Sequence, residues 1–284
     1  TSVIVTYTVA AAKELRERIT GHPTKPQQPA YIGTLHSYLL RRLRESGSTV
    51  TVADEQTSQR ILERAMELVG WKRAISSAWK AVAERHSTDH KCRSLYQAFR
   101  CELQKSNLIT YDGIPEAGLE LLESGKVEPI YCLMVDEYQD VSDLDDRIYA
   151  ALKAQRYFVV GDPRQAIFGF RGGDVQCLIG KTTTWECINL PVNYRSDERI
   201  IEAANKLMPS SEDQEIQPNS TDCGLVECGQ EPTEEAQLLS ISTTIKAWDY
   251  YADKDVQSAA VICRYNWHCD HIAEYLRSAG VAVH

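Results

Sequence analysis

Two adjacent carboxylates at the end of an apolar run are the strongest chemical signal in the sequence. The run Tyr131 to Val135 leads directly into Asp136 and Glu137, and Gln139 and Asp140 follow. In open α/β sheets, ligands bind at the edge where the strands end. There, one carboxylate can hold Mg²⁺ against phosphate oxygens, and the next can orient or deprotonate an attacking water. Taken alone, the pattern also fits a strand that ends in an acidic turn.

A glycine-rich loop further along the chain combines an amide, two aromatic rings and a guanidinium. The segment 161–174 reads GDPRQAIFGFRGGD. Gln165 could sense a terminal phosphate. The rings of Phe168 and Phe170, next to Arg171, are the kind of surface on which single-stranded bases stack. Most aromatic residues lie in protein cores instead, but the surrounding glycines favour an exposed loop.

A third short segment places an arginine and a tyrosine just beyond an apolar run. Asn193, Tyr194, Arg195 and Ser196 follow Leu190 closely. An arginine in this position can reach across a cleft to a γ-phosphate, and a neighbouring tyrosine can stack on adenine. Without the other two segments, the same four residues would indicate only a surface turn.

The bulk composition indicates an ordinary globular protein and does not by itself favour nucleic acid. Of the 284 residues, 43% are hydrophobic and 25% are charged, which is typical of soluble domains and allows about two of them. The net charge is −9, whereas phosphate contacts need lysine and arginine. Any affinity for DNA must therefore come from a local basic groove and must fall as salt is raised.

The cysteines and the absence of long apolar runs argue for a cytoplasmic protein without a membrane partner. The nine cysteines include no C-x-x-C pair, which favours reduced thiols over disulfides. The cluster of Cys263, His268, Cys269 and His271 matches no common zinc spacing, and Cys263 is predicted to pack inside a strand. No apolar run reaches the roughly 20 residues that cross a bilayer, and no secretory signal begins the chain.

Apolar runs and helical patterns alternate along the chain, as in an α/β protein. Five short apolar runs that do not strictly alternate predict strands buried on both faces of a parallel sheet. They lie at 3–5, 130–135, 157–160, 187–190 and 259–263. Helical patterns lie at 10–19, at 58–69 and from 272 to 276, with Gly280 as the expected C-cap of the last.

Two stretches depart from this alternation. Residues from about 45 to 125 are mostly polar with helical patterns and predict a helical insertion between strands of one sheet. Residues 209–235 are acidic and rich in turn-forming residues. They predict a surface loop with a short strand at Gly224 to Glu227.

Taken together, the three segments resemble the motifs of a known helicase family. D-E-Y-Q-D at 136–140, the loop at 161–174 and N-Y-R-S at 193–196 resemble motifs II, III and IV of the UvrD/Rep/PcrA-like superfamily 1 DNA helicases, in order and in spacing. Further segments that resemble the family lie at 6–12 with 14–19 (motif Ia), at 33–38 (motif Ib) and at 260–266, in the second motor domain. The resemblance runs nearly from end to end.

The resemblance implies both architecture and activity. The expected fold is α/β, with the parallel sheets of RecA-like P-loop NTPases and a helical insertion, incomplete at both ends. Residues 1–183 would form the first motor domain (1A), with the insertion (1B) at about 45–125, and residues 184–284 would begin the second (2A). The expected protein is an ATP-dependent DNA helicase and single-stranded DNA translocase that moves 3′ to 5′ and binds single strands and duplex–single-strand junctions.

The family pattern also implies roles for individual residues. Asp136 would ligate Mg²⁺ and Glu137 would activate water, while Gln165 and Arg195 would contact the γ-phosphate of ATP and Tyr194 the adenine. The residues implied to contact DNA are Tyr7, Phe168 and Phe170, which would stack on bases, and Thr34, His36 and Arg171, which would contact the strand or its backbone. Tyr7 and Phe170 stand where the family often has Phe and Trp, so a ring face is kept.

One expected element is missing from the sequence. ATP binding in this class needs G-x-x-x-x-G-K-[ST] before the D-E strand, and no such segment precedes Asp136. The match also stops before the last family motifs, so the expectation is an internal fragment, inactive alone. The alternatives are a non-hydrolysing DNA-binding remnant that lost its phosphate loop, or part of a helicase–nuclease.

Gly180, Lys181 and Thr182 imitate half of a phosphate loop. The first glycine of that motif is absent because position 175 is Val, and the segment follows the D-E strand instead of preceding it. Residues 183–188 are predicted to form a strand rather than a helix. Lys181 is therefore predicted to be a surface residue without a role in phosphate binding.

Overall fold

The computed structural model describes residues 2–21, 31–84, 87–207, 215–220, 224–251 and 259–283, without the side chains of Arg171 and of residues 248–251. The chain forms two compact units, Thr1–Ile188 and Asn189–His284. No helix among the described residues is both long and apolar enough to span a membrane.

A parallel sheet is the centre of the first unit. The described residues of this unit form six strands, which are, in chain order, β1 Ser2–Val5, β2 Tyr31–Gly33, β3 Thr51–Val52, β4 Leu108–Ile109, β5 Cys132–Val135 and β6 Arg156–Val159. Four of them form one parallel sheet in the order β2-β1-β5-β6, and β3 pairs with β4 separately. The strands predicted at 3–5, 130–135 and 157–160 are thus formed. Burial on both faces, which was predicted for all of them, is wrong for β6: it ends the strand order of this sheet, and Phe158 is 59% exposed.

The apolar run of β1 is continuous because both faces of the strand are buried. Val3 and Val5 point into the main core with Leu133 of β5. Ile4 points to the other face, where it packs with Ile32 and Ala12. Burial on both faces is what a strand inside a parallel α/β sheet requires.

The part of the first unit that the structure describes also contains eight α-helices. They are α1 Val9–Gly21, α2 Leu35–Glu45, α3 Glu55–Val69, α4 Ile75–Ala83, α5 His90–Lys105, α6 Ile114–Glu123, α7 Asp143–Ala151 and α8 Val175–Thr182. Several begin at residues whose side chains accept a backbone N–H, as helix N-caps do: Thr34, Asp54, Asp89 and Ser142. The helices predicted at 10–19 and 58–69 correspond to α1 and α3.

The helical insertion has a core of its own. Helices α3, α4 and α5 pack around buried residues such as Leu62, Leu95 and Phe99. Helix α6 lies outside this cluster, because Ile114 and Leu119 belong to the core under the sheet. The separate helical core is therefore shorter than the stretch 45–125 and ends with α5.

In the described part of the second unit, the buried apolar side chains are Ile201, Leu238 and Leu276. This unit contains β7 Val192–Asn193, which pairs in parallel with β8 Gln217–Pro218, and the helices α9 Glu198–Leu207, α10 Glu234–Tyr251 and α11 Asn266–Ser278. Gly280 follows α11 with a φ of 81°, the left-handed conformation of a helix C-cap, as predicted.

Several strands predicted by pattern are not formed. Residues 187–190 and 259–263 are irregular, and Leu190 and Ile262 are 85% and 92% exposed. Cys263 therefore lies outside any strand. Residues 224–227 are irregular too, and 183–188 form a turn and coil. The physical reason is that a strand needs a neighbour for its backbone hydrogen bonds, and none pairs with these runs among the described residues. Other parts of the 209–235 loop, at 209–214 and 221–223, lie outside the described residues.

Candidate functional site

The predicted site residues of the first unit gather at one edge of the sheet. Tyr7 follows β1, Thr34 follows β2, Asp136 follows β5 and Gly161 closely follows β6. Because the four strands are parallel, their carboxyl ends emerge on the same side. This edge is where open α/β sheets bind ligands.

The two carboxylates at the end of β5 differ in environment. The Asp136 N–H donates to the Val5 carbonyl at 3.0 Å, which extends the sheet ladder by one residue. Asp136 is half-buried, and its pKa is raised by desolvation and by the neighbouring Glu137 carboxylate. Glu137 is exposed. A cation bound between such carboxylates would relieve the repulsion that raises the pKa of Asp136.

Glu137 has an unusual backbone conformation. Its φ and ψ are 54° and 47°, in the left-handed region that residues other than glycine seldom adopt. Its N–H donates to Asp136 Oδ1 at 3.1 Å. Such conformations persist where the surroundings enforce them, and they concentrate at functional sites. The turn directs the Glu137 side chain out of the strand into solvent.

A chain of hydrogen bonds links Glu137 to Gln165. The Gln139 amide Nε2 donates to Glu137 Oε2 at 2.8 Å, and Gln139 Oε1 accepts the Asp162 N–H at 3.1 Å. Gln165 Nε2 donates to Asp162 Oδ2 at 3.0 Å. We refer to Glu137, Gln139, Asp162 and Gln165 as the relay. Only one orientation of the Gln139 amide serves both of its partners, because a carboxylate cannot donate and a backbone N–H cannot accept.

The relay is tightly enclosed at Gln139. That side chain is 3% exposed. A Cβ atom at Gly161 would lie 2.7 Å from Gln139 Oε1, so only glycine fits there. Desolvation tends to raise the pKa of Asp162, but hydrogen bonds from Arg164 and Gln165 outweigh it and lower the pKa. Asp162 therefore stays ionised and holds both side chains.

Gln139 and Asp162 received no role in the sequence analysis. Both lie inside the segments that resemble family motifs, D-E-Y-Q-D and G-D-P-R-Q. Their location inside these segments was the one feature of the sequence that could have indicated a role. The sequence could not show that Gln139 contacts Asp162, because the two segments meet only when β5 and β6 pair.

Three aromatic side chains form a row beside the relay. The rings of Tyr7 and Phe168 have centroids 4.9 Å apart, and those of Phe168 and Phe170 are 6.1 Å apart. Phe170 is 79% exposed and Tyr7 is partly exposed, so these rings are not core residues. We call the three residues the aromatic row. Exposed ring faces at this spacing suit stacking with unpaired bases.

The loop that holds the aromatic row is attached to the segment after β5. Burial and the Glu137 carboxylate raise the pKa of Asp140. The backbone N–H groups of Phe168 and Ile167 point to the Asp140 carboxylate and partly oppose this rise. The Asp174 N–H donates to the Val141 carbonyl at 2.9 Å. The loop 161–174 therefore contacts the segment after β5 through its middle, at Asp140, and through its last residue, at Val141.

The remaining predicted DNA contacts have structural partners. The Thr34 hydroxyl caps α2 by accepting the Ser37 N–H at 3.4 Å. His36 stacks face to face on Tyr111, with centroids 4.4 Å apart and planes 6° from parallel. Arg171 ends a short 3₁₀ helix, Gly169–Arg171, and its side chain lies outside the described residues.

The predicted nucleotide contacts of the second unit lie on a turn after β7. Asn193 Oδ1 accepts the N–H groups of Arg195 and Ser196 at 2.8 and 2.9 Å. A side chain that accepts hydrogen bonds from the backbone ahead of it stabilises such turns. Tyr194 and Arg195 are both exposed.

Lys181 is less exposed than the surface position that was predicted for it. Its side chain is half-buried, and its ammonium lies 2.8 Å from Asp146 Oδ1 and 5.6 Å from the centre of the Trp185 ring. Tyr138 donates a hydrogen bond to the same Asp146. The sequence could not show this, because the ion pair forms only where α8 packs close to α7. Lys181 thus has a packing role.

A metal ion at this site would need ligands from its substrate. Among the residues that the structure describes, no three or more His, Cys, Asp and Glu are grouped to hold a metal. Mg²⁺ is commonly held by one or two carboxylates together with water and phosphate oxygens. Asp136 and Glu137 fit that arrangement.

Comparison with known proteins places the chain in a family. Residues 2–70 and 54–185 match the UvrD/REP helicase N-terminal domain, and residues 188–284 match the UvrD-like helicase C-terminal domain. These matches cover most of the sequence. The chain belongs to the UvrD/REP helicase family, which agrees with the resemblance of its motifs, and the α/β fold with a parallel sheet is that of a RecA-like helicase.

Curated relatives are distant and longer. A probable DNA helicase II homolog from Mycoplasma capricolum is 24% identical over 88% of this chain and 41% of its own length. The ATP-dependent DNA helicases PcrA of Leuconostoc citreum and Staphylococcus aureus are 25% and 23% identical, over 72% and 73% of this chain. The chain spans less than half of the length of these relatives.

Proposed function

We propose that this chain is part of an ATP-dependent DNA helicase that moves along single-stranded DNA. The observation that supports this best is the loop 161–174, which includes Asp162 and Gln165 of the relay and Phe168 and Phe170 of the aromatic row. A group suited to phosphate chemistry and a group suited to base stacking thus belong to one short segment. The names of the relatives, ATP-dependent DNA helicases, point the same way.

In the proposed mechanism, the acidic residues after β5 act on the terminal phosphate of ATP. Asp136 would hold Mg²⁺, which neutralises phosphate charge when bound. Glu137 would orient and deprotonate the attacking water. Its left-handed backbone and the hydrogen bond from Gln139 hold the carboxylate in one place. Gln165 would contact the γ-phosphate from the far end of the relay.

The relay also offers a route from phosphate chemistry to DNA. Glu137 is connected through Gln139 to Asp162, near the start of the loop, and Gln165 is bonded to Asp162 directly. The same loop is fixed near its aromatic residues by Asp140. Movement of the loop would therefore shift Phe168 and Phe170 against the bases that they hold.

Other parts of the proposal rest on the family resemblance. These are the contacts of Tyr194 with adenine, of Arg195 with the γ-phosphate, and of Thr34, His36 and Arg171 with the strand. The 3′ to 5′ direction, the preference for duplex–single-strand junctions and a cytoplasmic or nucleoid-associated location have the same basis.

The test is DNA-stimulated ATP hydrolysis. No G-x-x-x-x-G-K-[ST] segment occurs in residues 1–284, so hydrolysis is measured in the protein with its native flanking sequence, and in the given chain for comparison. We expect turnover that single-stranded DNA stimulates, and loss of that turnover in Glu137→Gln with DNA binding retained. Turnover that survives in Glu137→Gln would remove Glu137 from the catalytic role. Binding of single strands without any hydrolysis by the wild type would favour the non-hydrolysing remnant.

A further inference from the structure

A cavity lies where the helical insertion meets the rest of the first unit. Its volume is about 240 Å³. Phe99 and Leu103, from the core of the insertion, line it. Ile109, which packs against the core under the sheet, lines it as well. The cavity therefore lies between two hydrophobic cores, and none of its lining residues belongs to the relay or to the aromatic row.

Aromatic rings from two helices of the insertion line this cavity. Tyr96, Phe99 and Leu103 are spaced along α5 so that they share one face of that helix. Trp79 of α4 also lines the cavity, and its ring meets that of Phe99 edge to face, with centroids 5.8 Å apart. A cavity of roughly 150 Å³ is enough to hold a benzene ring. The larger volume here leaves room for such a ring with a short polar chain.

Acidic side chains line the cavity from the segment after β4. Asp112, Glu116 and Glu120 follow one another at intervals of four residues, along the 3₁₀ helix Tyr111–Gly113 and α6. Arg100 is the one basic side chain among the described residues that line the cavity. A cleft in which one sign of charge dominates concentrates ions of the opposite sign. This cavity therefore favours a cation over an anion.

Two contacts between α5 and α6 hold the carboxylates beside the aromatic rings. The Tyr96 hydroxyl donates a hydrogen bond to Glu116, and the Arg100 guanidinium forms an ion pair with Glu120. A carboxylate offers about four positions to hydrogen-bond donors. Glu116 and Glu120 can therefore accept hydrogen bonds from a ligand while they keep these partners.

We infer that this cavity is a binding site for a small aromatic amine. The aromatic ring of the ligand lies among Trp79, Tyr96 and Phe99, and its ammonium group donates hydrogen bonds to Glu116 and Glu120. Apolar walls with a few polar groups that fix the orientation of the ligand are typical of small-molecule sites. A ligand bound here touches both the insertion and α6, so its binding stabilises their packing.

The first test compares three probes of similar size and different charge. Phenethylamine is a cation, 2-phenylethanol is neutral and phenylacetate is an anion. Their dissociation constants are measured by saturation-transfer NMR titration on the protein with its native flanking sequence, without ATP or DNA. We expect phenethylamine to bind roughly five- to tenfold more tightly than 2-phenylethanol, and phenylacetate to bind most weakly. Equal affinity for the three probes, or no binding of phenethylamine, would overturn the inference.

The second test removes one charge at a time from the acidic side of the cavity. Glu116→Gln and Glu120→Gln should each weaken phenethylamine binding roughly five- to tenfold and leave 2-phenylethanol binding unchanged. Glu123→Gln is the matched control, because Glu123 is an exposed glutamate of the same helix that does not line the cavity. It should bind both probes as the wild type does. An equal loss for both probes would mean that these glutamates act only through the fold, and it would refute their contact with the ammonium.

The third test fills the cavity. Ala117 lines it from α6, and Ala117→Leu adds apolar volume there while it keeps a strong helix former. Both phenethylamine and 2-phenylethanol should lose binding. If this variant does not fold, the melting temperature replaces it as the readout, since phenethylamine should raise that of the wild type and raise that of Glu120→Gln less.

The location of the bound probe decides the outcome. Phenethylamine binding that persists unchanged in Ala117→Leu, Glu116→Gln and Glu120→Gln would place the probe elsewhere on the protein, and the inference would be wrong. The proposed function would not be affected by that result, because these measurements need neither ATP nor DNA.

Discussion

The relay makes a quantitative prediction at Gln139. Gln139→Leu keeps a similar side-chain size but removes both hydrogen bonds of the amide. The Asp162 N–H then loses its partner, and an unpaired buried N–H costs about 1–3 kcal/mol. Loss of the hydrogen bond to Glu137 lowers the free energy of unfolding by less, because Glu137 is exposed and water can replace the amide. We therefore expect the free energy of unfolding of the first unit to fall by about 2 kcal/mol.

The same substitution should lower turnover more than DNA affinity. Without the amide, the Glu137 carboxylate is free to move, and misplacement of a reacting group by about 1 Å can cost roughly a hundredfold in rate. The backbone of Ile167 and Phe168 keeps its contact with Asp140. We expect DNA-stimulated turnover to fall roughly ten- to a hundredfold, with affinity for oligodeoxythymidine nearly unchanged.

Stability is measured by urea unfolding, followed by tryptophan fluorescence. Trp185 reports on the sheet because its ring lies 5.5 Å from that of Tyr157 in β6. The matched control is Gln97→Leu, at an exposed position of α5, which should change neither stability nor turnover. If Gln139→Leu unfolds like the wild type and keeps full DNA-stimulated turnover, the relay has no role and the reasoning is refuted.

A second variant tests the direction of the hydrogen bonds. Gln139→Glu keeps an acceptor for the Asp162 N–H but replaces the donor with a carboxylate that faces Glu137. Like charges at this distance destabilise the fold at neutral pH. As the pH falls, the introduced carboxyl group is protonated and can donate again. The difference in unfolding free energy from the wild type should therefore shrink at acidic pH, and a difference independent of pH would contradict this account.

Two further substitutions test the electrostatics of the site. Because burial and Glu137 raise the pKa of Asp136 in the folded protein, the folded state takes up more protons than the unfolded state between the two pKa values, and stability falls as the pH rises through that window. Asp136→Asn should thus raise the unfolding free energy at neutral pH by on the order of 0.5–1 kcal/mol. This gain should vanish below the window between the two pKa values. A lower unfolding free energy at neutral pH, measured by urea unfolding, would contradict the raised pKa of Asp136. Lys181→Ala should lower the free energy of unfolding by about 1 kcal/mol, because the Asp146 ion pair and the contact with Trp185 are lost. ATP binding should stay unchanged when it is measured by titration calorimetry on the protein with its native flanking sequence. Weakened ATP binding would restore Lys181 as a candidate phosphate ligand.

Local patterns in the sequence were enough to indicate the sheet of the first unit and the segments of the site. The runs that became β1 and β5 are apolar because both faces of each strand are covered, and composition reveals this directly. The run that became β6 is apolar too, although Phe158 is exposed. The D-E-Y-Q-D and G-D-P-R-Q-A-I-F-G-F-R segments carry their residue types in a fixed order. Strand polarity then places their side chains at one edge.

The same patterns failed where a strand depended on partners. The runs at 187–190 and 259–263 have the composition of strands but remain irregular and exposed. An apolar run indicates only that a segment can be buried. It forms a strand only where another strand pairs with its backbone N–H and C=O groups.

Contacts between distant residues were decided by the tertiary structure alone. Gln139 meets Asp162 because β5 and β6 are neighbours, Lys181 meets Asp146 because α8 packs near α7, and Tyr111 meets His36 across the end of β2. The sequence by itself determined which residue types are present and which face of each element they occupy. It could not determine these pairs, because each depends on the packing of two separate elements, and that packing is a property of the whole core.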